Sequence, residues 1–134
     1  VSCKMVAGPL PSVRVYEDDE VLAFLDIGPI IKGHTLVIPK KHYDPLVATP
    51  ADLLQKLIVV VQKVARAQVE NLRADGVNIA QANGQVAGQV VPHLHFHVIP
   101  RFQQDGYSFH WKAGRYDDPA ELETLGRRLR GAIG

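Results

Sequence analysis

The clearest alternation of apolar and polar positions in the chain runs from Val91 to Arg101, VPHLHFHVIPR. Read with a period of two, it puts His93, His95 and His97 on one face and Leu94, Phe96 and Val98 on the other. The pattern predicts a strand whose apolar stripe packs into a core. Four shorter runs read as strands as well: 13–17 (VRVYE), 21–26 (VLAFLD), 34–40 (HTLVIPK) and 77–83 (VNIAQAN). Asp18 and Asp19 form an acidic tight turn between the first two, which predicts a hairpin.

Between the third and fourth runs the period changes to that of a helix. Leu53, Leu54, Leu57, Ile58, Val61, Val64, Ala65 and Leu72 fall on one side, and Gln55, Gln62, Arg66, Glu70 and Arg73 on the other, with Val59 stranded among them. Thr49 is placed to cap this helix, Pro50 suits its first position, and Asp52 favours its positive end. A C-terminal helix is predicted from Asp118 as cap through Pro119 and Glu121, with a narrow apolar face of Leu122, Leu125 and Leu129. Residues 2–8 read as one or two helical turns between Ser2 and Gly8. The stretch 84–92 is a Gly-bearing loop, long for a hairpin connection, and 102–117 is irregular and aromatic. Five strands with few, long helices predict an α+β fold on a largely antiparallel sheet.

Composition narrows the class. A length of 134 residues suits a single domain, 1–134, able to bury a core without cross-links. A net charge of +1 gives no basic field for nucleic acid, and Arg127, Arg128 and Arg130 sit where they complement a helix C-terminus. Cys3 is the single cysteine, so no internal disulfide forms, which fits a reducing compartment. No apolar run is long enough to span a membrane and no signal peptide is visible. The expectation is a cytoplasmic domain with neither nucleic acid nor membrane as partner.

Three histidines on one face call for chemistry, because Thr, Lys, Glu or Ser would keep a strand face wet equally well. The pattern alone leaves two classes open: a metal site, neutral His being the commonest ligand, or nucleophilic and acid–base catalysis. Three other features could build a phosphate or nucleoside site. Asn83 to Gln89 offers amides and backbone N–H groups near the triad, or is simply a hairpin loop. Asp26 closes an apolar strand, either as a turn former or as an acceptor for sugar hydroxyls. His34 opens the third strand and gains interest only if the sheet brings it to His95 and His97.

HLHFHVI, together with VYEDDEVLAFLDI, GHTLVIPKKH and NGQVAGQVVPHLHFHVIPR in that order, resembles the histidine triad family of nucleotide hydrolases and transferases. These blocks run from about residue 3 to 101 and leave 102–134 as a C-terminal extension. They are most similar to the branch of histidine triad nucleotide-binding proteins, which are purine nucleoside phosphoramidases. The resemblance implies a five-stranded antiparallel sheet with one long helix and a C-terminal helix, dimerising into a ten-stranded sheet. It implies cleavage of the P–N bond of purine nucleoside 5′-phosphoramidates through a covalent nucleotidyl-histidine. A dinucleoside polyphosphate hydrolase and a nucleotide-binding regulatory or scaffold protein are the alternatives.

By the same resemblance, His95 is the nucleophile, His97 lies near the leaving group, and His93 and His34 orient and polarise the site. Asp26 holds the ribose hydroxyls, Asn83, Gly88 and Gln89 contact the phosphate, and Leu10, Phe24, Ile27 and Leu36 enclose the purine. Two departures stand out. Val90 occupies the place of a Ser or Thr that would offer a hydroxyl to the phosphate or leaving group. Of a structural zinc site only Cys3, His42 and His93 remain, so zinc is expected only if a further Cys precedes Val1. The expectation is therefore no metal and no required cofactor.

Overall fold

The computed structural model describes residues 13–134. The expected turns over 2–8, and with them Cys3 and Leu10, lie outside the described residues. Every apolar run yields its element: β1 (Arg14–Glu17), β2 (Val21–Leu25), β3 (Thr35–Pro39), α1 (Ala51–Asn71), β4 (Gly76–Ala80), β5 (Phe96–Arg101) and α2 (Pro119–Ile133). The strands form one five-stranded sheet in the order β1-β2-β3-β5-β4. All four neighbour pairs are antiparallel, as expected. The β1–β2 hairpin is closed by Asp18, whose Oδ1 accepts from the backbone N–H groups of Glu20 and Val21, both at 2.8 Å.

The period-two pattern sorts the central strands into two faces. Val21, Ala23, Val37, Phe96 and Val98 pack against Leu53, Leu57, Val60, Val61 and Val64 of α1. Leu22, Phe24 and Ile38 form a second cluster, with Leu36 at its edge. Fully burying one such aliphatic side chain contributes roughly 1.5–3 kcal/mol, so the α1 interface dominates stability.

Three local expectations are corrected. In α1, Val60 and Gln68 are buried, whereas Ile58 and Leu72 are about half exposed at 50% and 49%. The buried stripe runs 53–57–60/61–64–68, and residues 58 and 72 fall on its flanks. Gln68 is tolerated inside because its amide donates to the carbonyls of Gly33 (3.2 Å) and Val98 (3.0 Å), tying helix to sheet. Thr49 does not cap α1: its hydroxyl donates to the Pro45 carbonyl at 3.1 Å, and Pro50 takes the capping position. The strand expected over 91–101 starts only at Phe96. Before it, the backbone bonds locally, with His93 N–H donating to Val91 O (2.9 Å) and Leu94 N–H to Tyr43 O (2.7 Å).

α2 begins as predicted, with Asp118 Oδ1 accepting from Glu121 N–H at 2.8 Å. Its leucines remain exposed, Leu122, Leu125 and Leu129 at 52%, 38% and 63%.

Candidate active site

The open face of the sheet carries the chemistry. Register pairs Phe24 with Leu36 and Leu36 with His97, so these residues share one side across β2, β3 and β5. Beyond the strand ends the ladder continues through Asp26 N–H to His34 O at 2.9 Å, which sets those two residues beside His97. Gly33, just before His34, has φ +100°, and a Cβ there would meet Leu72 Cδ1 at 2.9 Å. The left-handed φ is what favours glycine here, since the tip of the Leu72 side chain could move aside. His34 Nε2 lies 2.9 Å from His97 Nδ1 and 3.8 Å from Asp26 Oδ2.

The three triad histidines do not line one surface, and the expectation that they do is corrected. His93 is 1% exposed and turned into the protein, its Nε2–H donated to the Pro39 carbonyl at 3.0 Å. Its Nδ1 lies 3.2 Å from His42 Nδ1. The reason is the local turn at 91–94, which breaks the alternation before the strand begins. His95 and His97 do share the cleft, with ring centroids 5.0 Å apart. His95 Nδ1 is 2.6 Å from the His93 carbonyl. A carbonyl can only accept, so Nδ1 carries the proton and Nε2 keeps its lone pair.

The sequence model of the HIT domain matches residues 7–104. The chain belongs to the HIT domain family. A HIT-like protein of Methanocaldococcus jannaschii is 51% identical over 106 residues, 79% of this chain and 81% of its own. The adenosine 5′-monophosphoramidase of Candida albicans is 36% identical over 132 residues, 95% of this chain and 84% of its own. The crystal structure of a HIT family member from Bacillus subtilis superposes with a TM-score of 0.90 at 41% identity, covering 98% of this chain and 94% of that one.

In this HIT domain a cleft of about 280 Å³ is lined by Asp26, Leu36, Gly88, Val90, Val91, His95 and His97. Six of these were expected from sequence; Val91 was not. His34 stands behind His97. The other expected residues lie elsewhere. Phe24 is buried with Leu22 and Ile38 and adjoins Leu36, while Ile27 is 83% exposed. Asn83 accepts from Leu46 N–H (2.8 Å) and donates to Gln81 (2.7 Å). Gln89 accepts from Gly84 N–H and donates to Asp44 Oδ1, both at 2.7 Å. Both amides hold the loop that walls the cleft. Asp44, the anchor of that loop, escaped sequence reasoning because nothing periodic marks it.

Burial sets the electrostatics. It pushes His97 down to about 4, helped by the neighbouring His95 and His34 and opposed by Asp26. His34 and His93 are lowered first by burial as well. The rings are therefore neutral near pH 7. Asp26, His34 and His97 converge with ligand atoms within 4.8 Å of one another, a spacing that could suggest a metal. The donor set does not fit one. Ile30 N–H is donated to His34 Nδ1 at 3.2 Å, which leaves the neutral ring with N–H, not a lone pair, facing Asp26 and His97.

Proposed function

We propose that this HIT domain hydrolyses purine nucleoside 5′-phosphoramidates through a covalent nucleotidyl-histidine on His95. The observation that carries the reading is the 2.6 Å hydrogen bond from His95 Nδ1–H to the His93 carbonyl, which leaves the Nε2 lone pair available as a nucleophile. That lone pair attacks the α-phosphorus and forms an N–P bond. The P–N bond of the substrate breaks, and the amine departs with the bonding pair and one proton from a water on the side where His97 stands; that water, short of a proton, is the nucleophile of the next step. Water then attacks phosphorus, releases the nucleoside monophosphate and returns the electron pair to His95. A bound phosphate raises the proton affinity of His97 above its value in the empty cleft, because a nearby anion favours the imidazolium.

Three further features support this reading. Asp26 Oδ1 is held by Gly28 N–H at 2.8 Å, which orients the carboxylate and leaves Oδ2 to accept from ribose hydroxyls. Leu36 supplies an apolar wall for the base. Among the described residues lining the cleft none is Lys or Arg. An amine leaving group needs no cation, whereas a departing polyphosphate does. The chemistry runs on imidazoles and water and requires no metal. In the same reading the enzyme is a homodimer in which the edge strand β4 pairs with its copy.

A substrate panel tests the proposal. Adenosine and guanosine 5′-phosphoramidates should show higher kcat/KM than diadenosine polyphosphates, and phosphorus should be trapped on His95 in the native enzyme. A preference for polyphosphates, or turnover retained in His95→Ala, would overturn it.

A further inference from the structure

His34 and His97 form a two-ring chain with one shared proton, and such a chain has two neutral states. In the first, His34 Nε2–H donates to His97 Nδ1, and His97 turns Nε2–H towards the cleft. In the second, His97 Nδ1–H donates back to His34 Nε2, and His97 turns a lone pair towards the cleft. The 2.9 Å contact between the rings is compatible with both. The outer end of the chain decides. In the second state His34 would carry its proton on Nδ1, which sits 3.2 Å from the N–H of Ile30. Two donors would then face each other with no acceptor between them, an arrangement that is costly in a buried place. Asp26 Oδ2, 3.8 Å from His34 Nε2, pulls the same way by favouring a proton on that nitrogen.

We infer that the backbone N–H of Ile30 sets the tautomer of His97 through His34, and so keeps a hydrogen-bond donor, His97 Nε2–H, facing the phosphate of a bound nucleotide. The inference rests on the nucleotide-binding part of the reading above and adds a positioning residue to it. The physical need is plain. A lone pair aimed at an anionic phosphoryl oxygen repels it, whereas an N–H binds it. His34 is 2% exposed, so no water stands in for the Ile30 amide at will. The loop is held independently of the imidazole rings: Gly33 O accepts from Gln68 and from the Thr35 hydroxyl, and the backbone N–H of His34 donates to Ile31 O at 2.9 Å. Ile30 itself is 41% exposed, and what it contributes to the chain of rings is its backbone amide, not its side chain.

The direct test is the imidazole ¹⁵N spectrum of the whole protein near pH 7, read through long-range ¹H–¹⁵N couplings. His34 and His97 should both appear as Nε2–H tautomers, and His95 as Nδ1–H. Ile30→Pro removes the donor and should give mixed tautomers at both rings. It should also weaken AMP about three- to tenfold while adenosine, which lacks the phosphate, is unaffected. Ile30→Ala keeps the amide and should keep the wild-type His97 signature. A His97 in the Nδ1–H form in the native protein would overturn the inference, and this measurement stands even if Ile30→Pro does not fold. Equal losses for AMP and adenosine in a folded Ile30→Pro protein would also overturn it. The two readings fail separately. Assigned tautomers and AMP binding without phosphoramidate turnover would sink the hydrolase proposal alone. An active hydrolase with His97 in the other tautomer would sink this one alone.

Discussion

His34 with His97 and His42 with His93 are built from the same materials. Each joins a residue flanking β3 to one in the histidine stretch, and in each the ring centroids are 5.1 Å apart. In the first pair the outer bond is a backbone donor, Ile30 N–H, and the polarity runs outward to a cleft. In the second, the outer bond is a backbone acceptor: the Pro39 carbonyl accepts a hydrogen bond from His93 Nε2–H, and the ring is sealed in the framework. Which nitrogen of an imidazole holds its proton decides whether it binds, attacks or merely supports. Here the backbone makes that choice: a donor on Nδ1 of His34 and an acceptor on Nε2 of His93 both leave the proton on Nε2, and the two rings differ in what that N–H faces, His97 in one case and a buried carbonyl in the other.

His95 belongs to neither pair, and removing it should separate chemistry from framework most sharply. In His95→Ala, phosphoramidate turnover should fall by at least about a thousandfold, as for other covalent nucleophiles. AMP affinity by calorimetry should stay within severalfold. The contrast between the pairs is tested next by His93→Ala, which strands the buried Pro39 carbonyl and opens a void. Urea unfolding should show a loss of about 2–4 kcal/mol. His97→Ala, at the cleft, should cost much less stability and much more activity; equal destabilisation would erase the distinction drawn above.

The loop wall should give an intermediate effect. Gln89→Ala and Asp44→Ala each cut the 2.7 Å bond that pins the 84–92 loop, and each should lower kcat/KM by about tenfold. The double variant should be little worse than either single one, since both remove the same contact. Independent, additive losses would show that the loop is held by other means. Val90→Ser should then raise kcat/KM severalfold, one new hydroxyl bond being worth about 0.5–1.5 kcal/mol and tenfold in rate about 1.36 kcal/mol. Because Val90 is 90% exposed, stability should change by less than about 0.5 kcal/mol. An unchanged rate would mean that water already supplies the donor.

The gentlest probe is pH. An unfolded histidine takes up its proton below its ordinary value of 6.5, whereas His97 in the fold does so only near 4. The unfolded state therefore binds more protons across that window, and stability should fall as pH drops through it. His97→Gln should flatten the slope of urea midpoint against pH; an unchanged slope would place the titration elsewhere.

Much of the molecule was legible beforehand because local periodicity and burial agree. Apolar runs bounded by turn residues located β2 and β3, alternation located β5, and helical spacing located α1 through Leu53, Leu57, Val61 and Val64. The capping pattern at Asp118 and Pro119 started α2 where it starts. Six of the seven cleft-lining residues came from motif blocks in the sequence. Failures came where a residue's role depends on a distant partner. Thr49 read as a cap but bonds the Pro45 carbonyl, and Gln68 bears no apolar mark yet sits 3% exposed between Gly33 and Val98. Asn83 and Gln89 also bond to Leu46 N–H and Gly84 N–H, contacts that no periodicity announces.

Within the strands, the sequence by itself determined which residues reach the open face of the sheet, because a period of two follows from the backbone alone; it did not do so for His93, which precedes β5 and is buried. It could not determine which way each imidazole is protonated or turned. That depends on hydrogen bonds closed over gaps of two to fifty-four positions: His93 O to His95, Ile30 N–H to His34, Pro39 O to His93. Such bonds are directional and short-ranged, so they exist only once loops from separate parts of the chain have been packed within 3 Å or so of one another. In the proposed reading, three histidines in one motif thus take three roles, nucleophile, donor and buried support, that only the folded chain distinguishes.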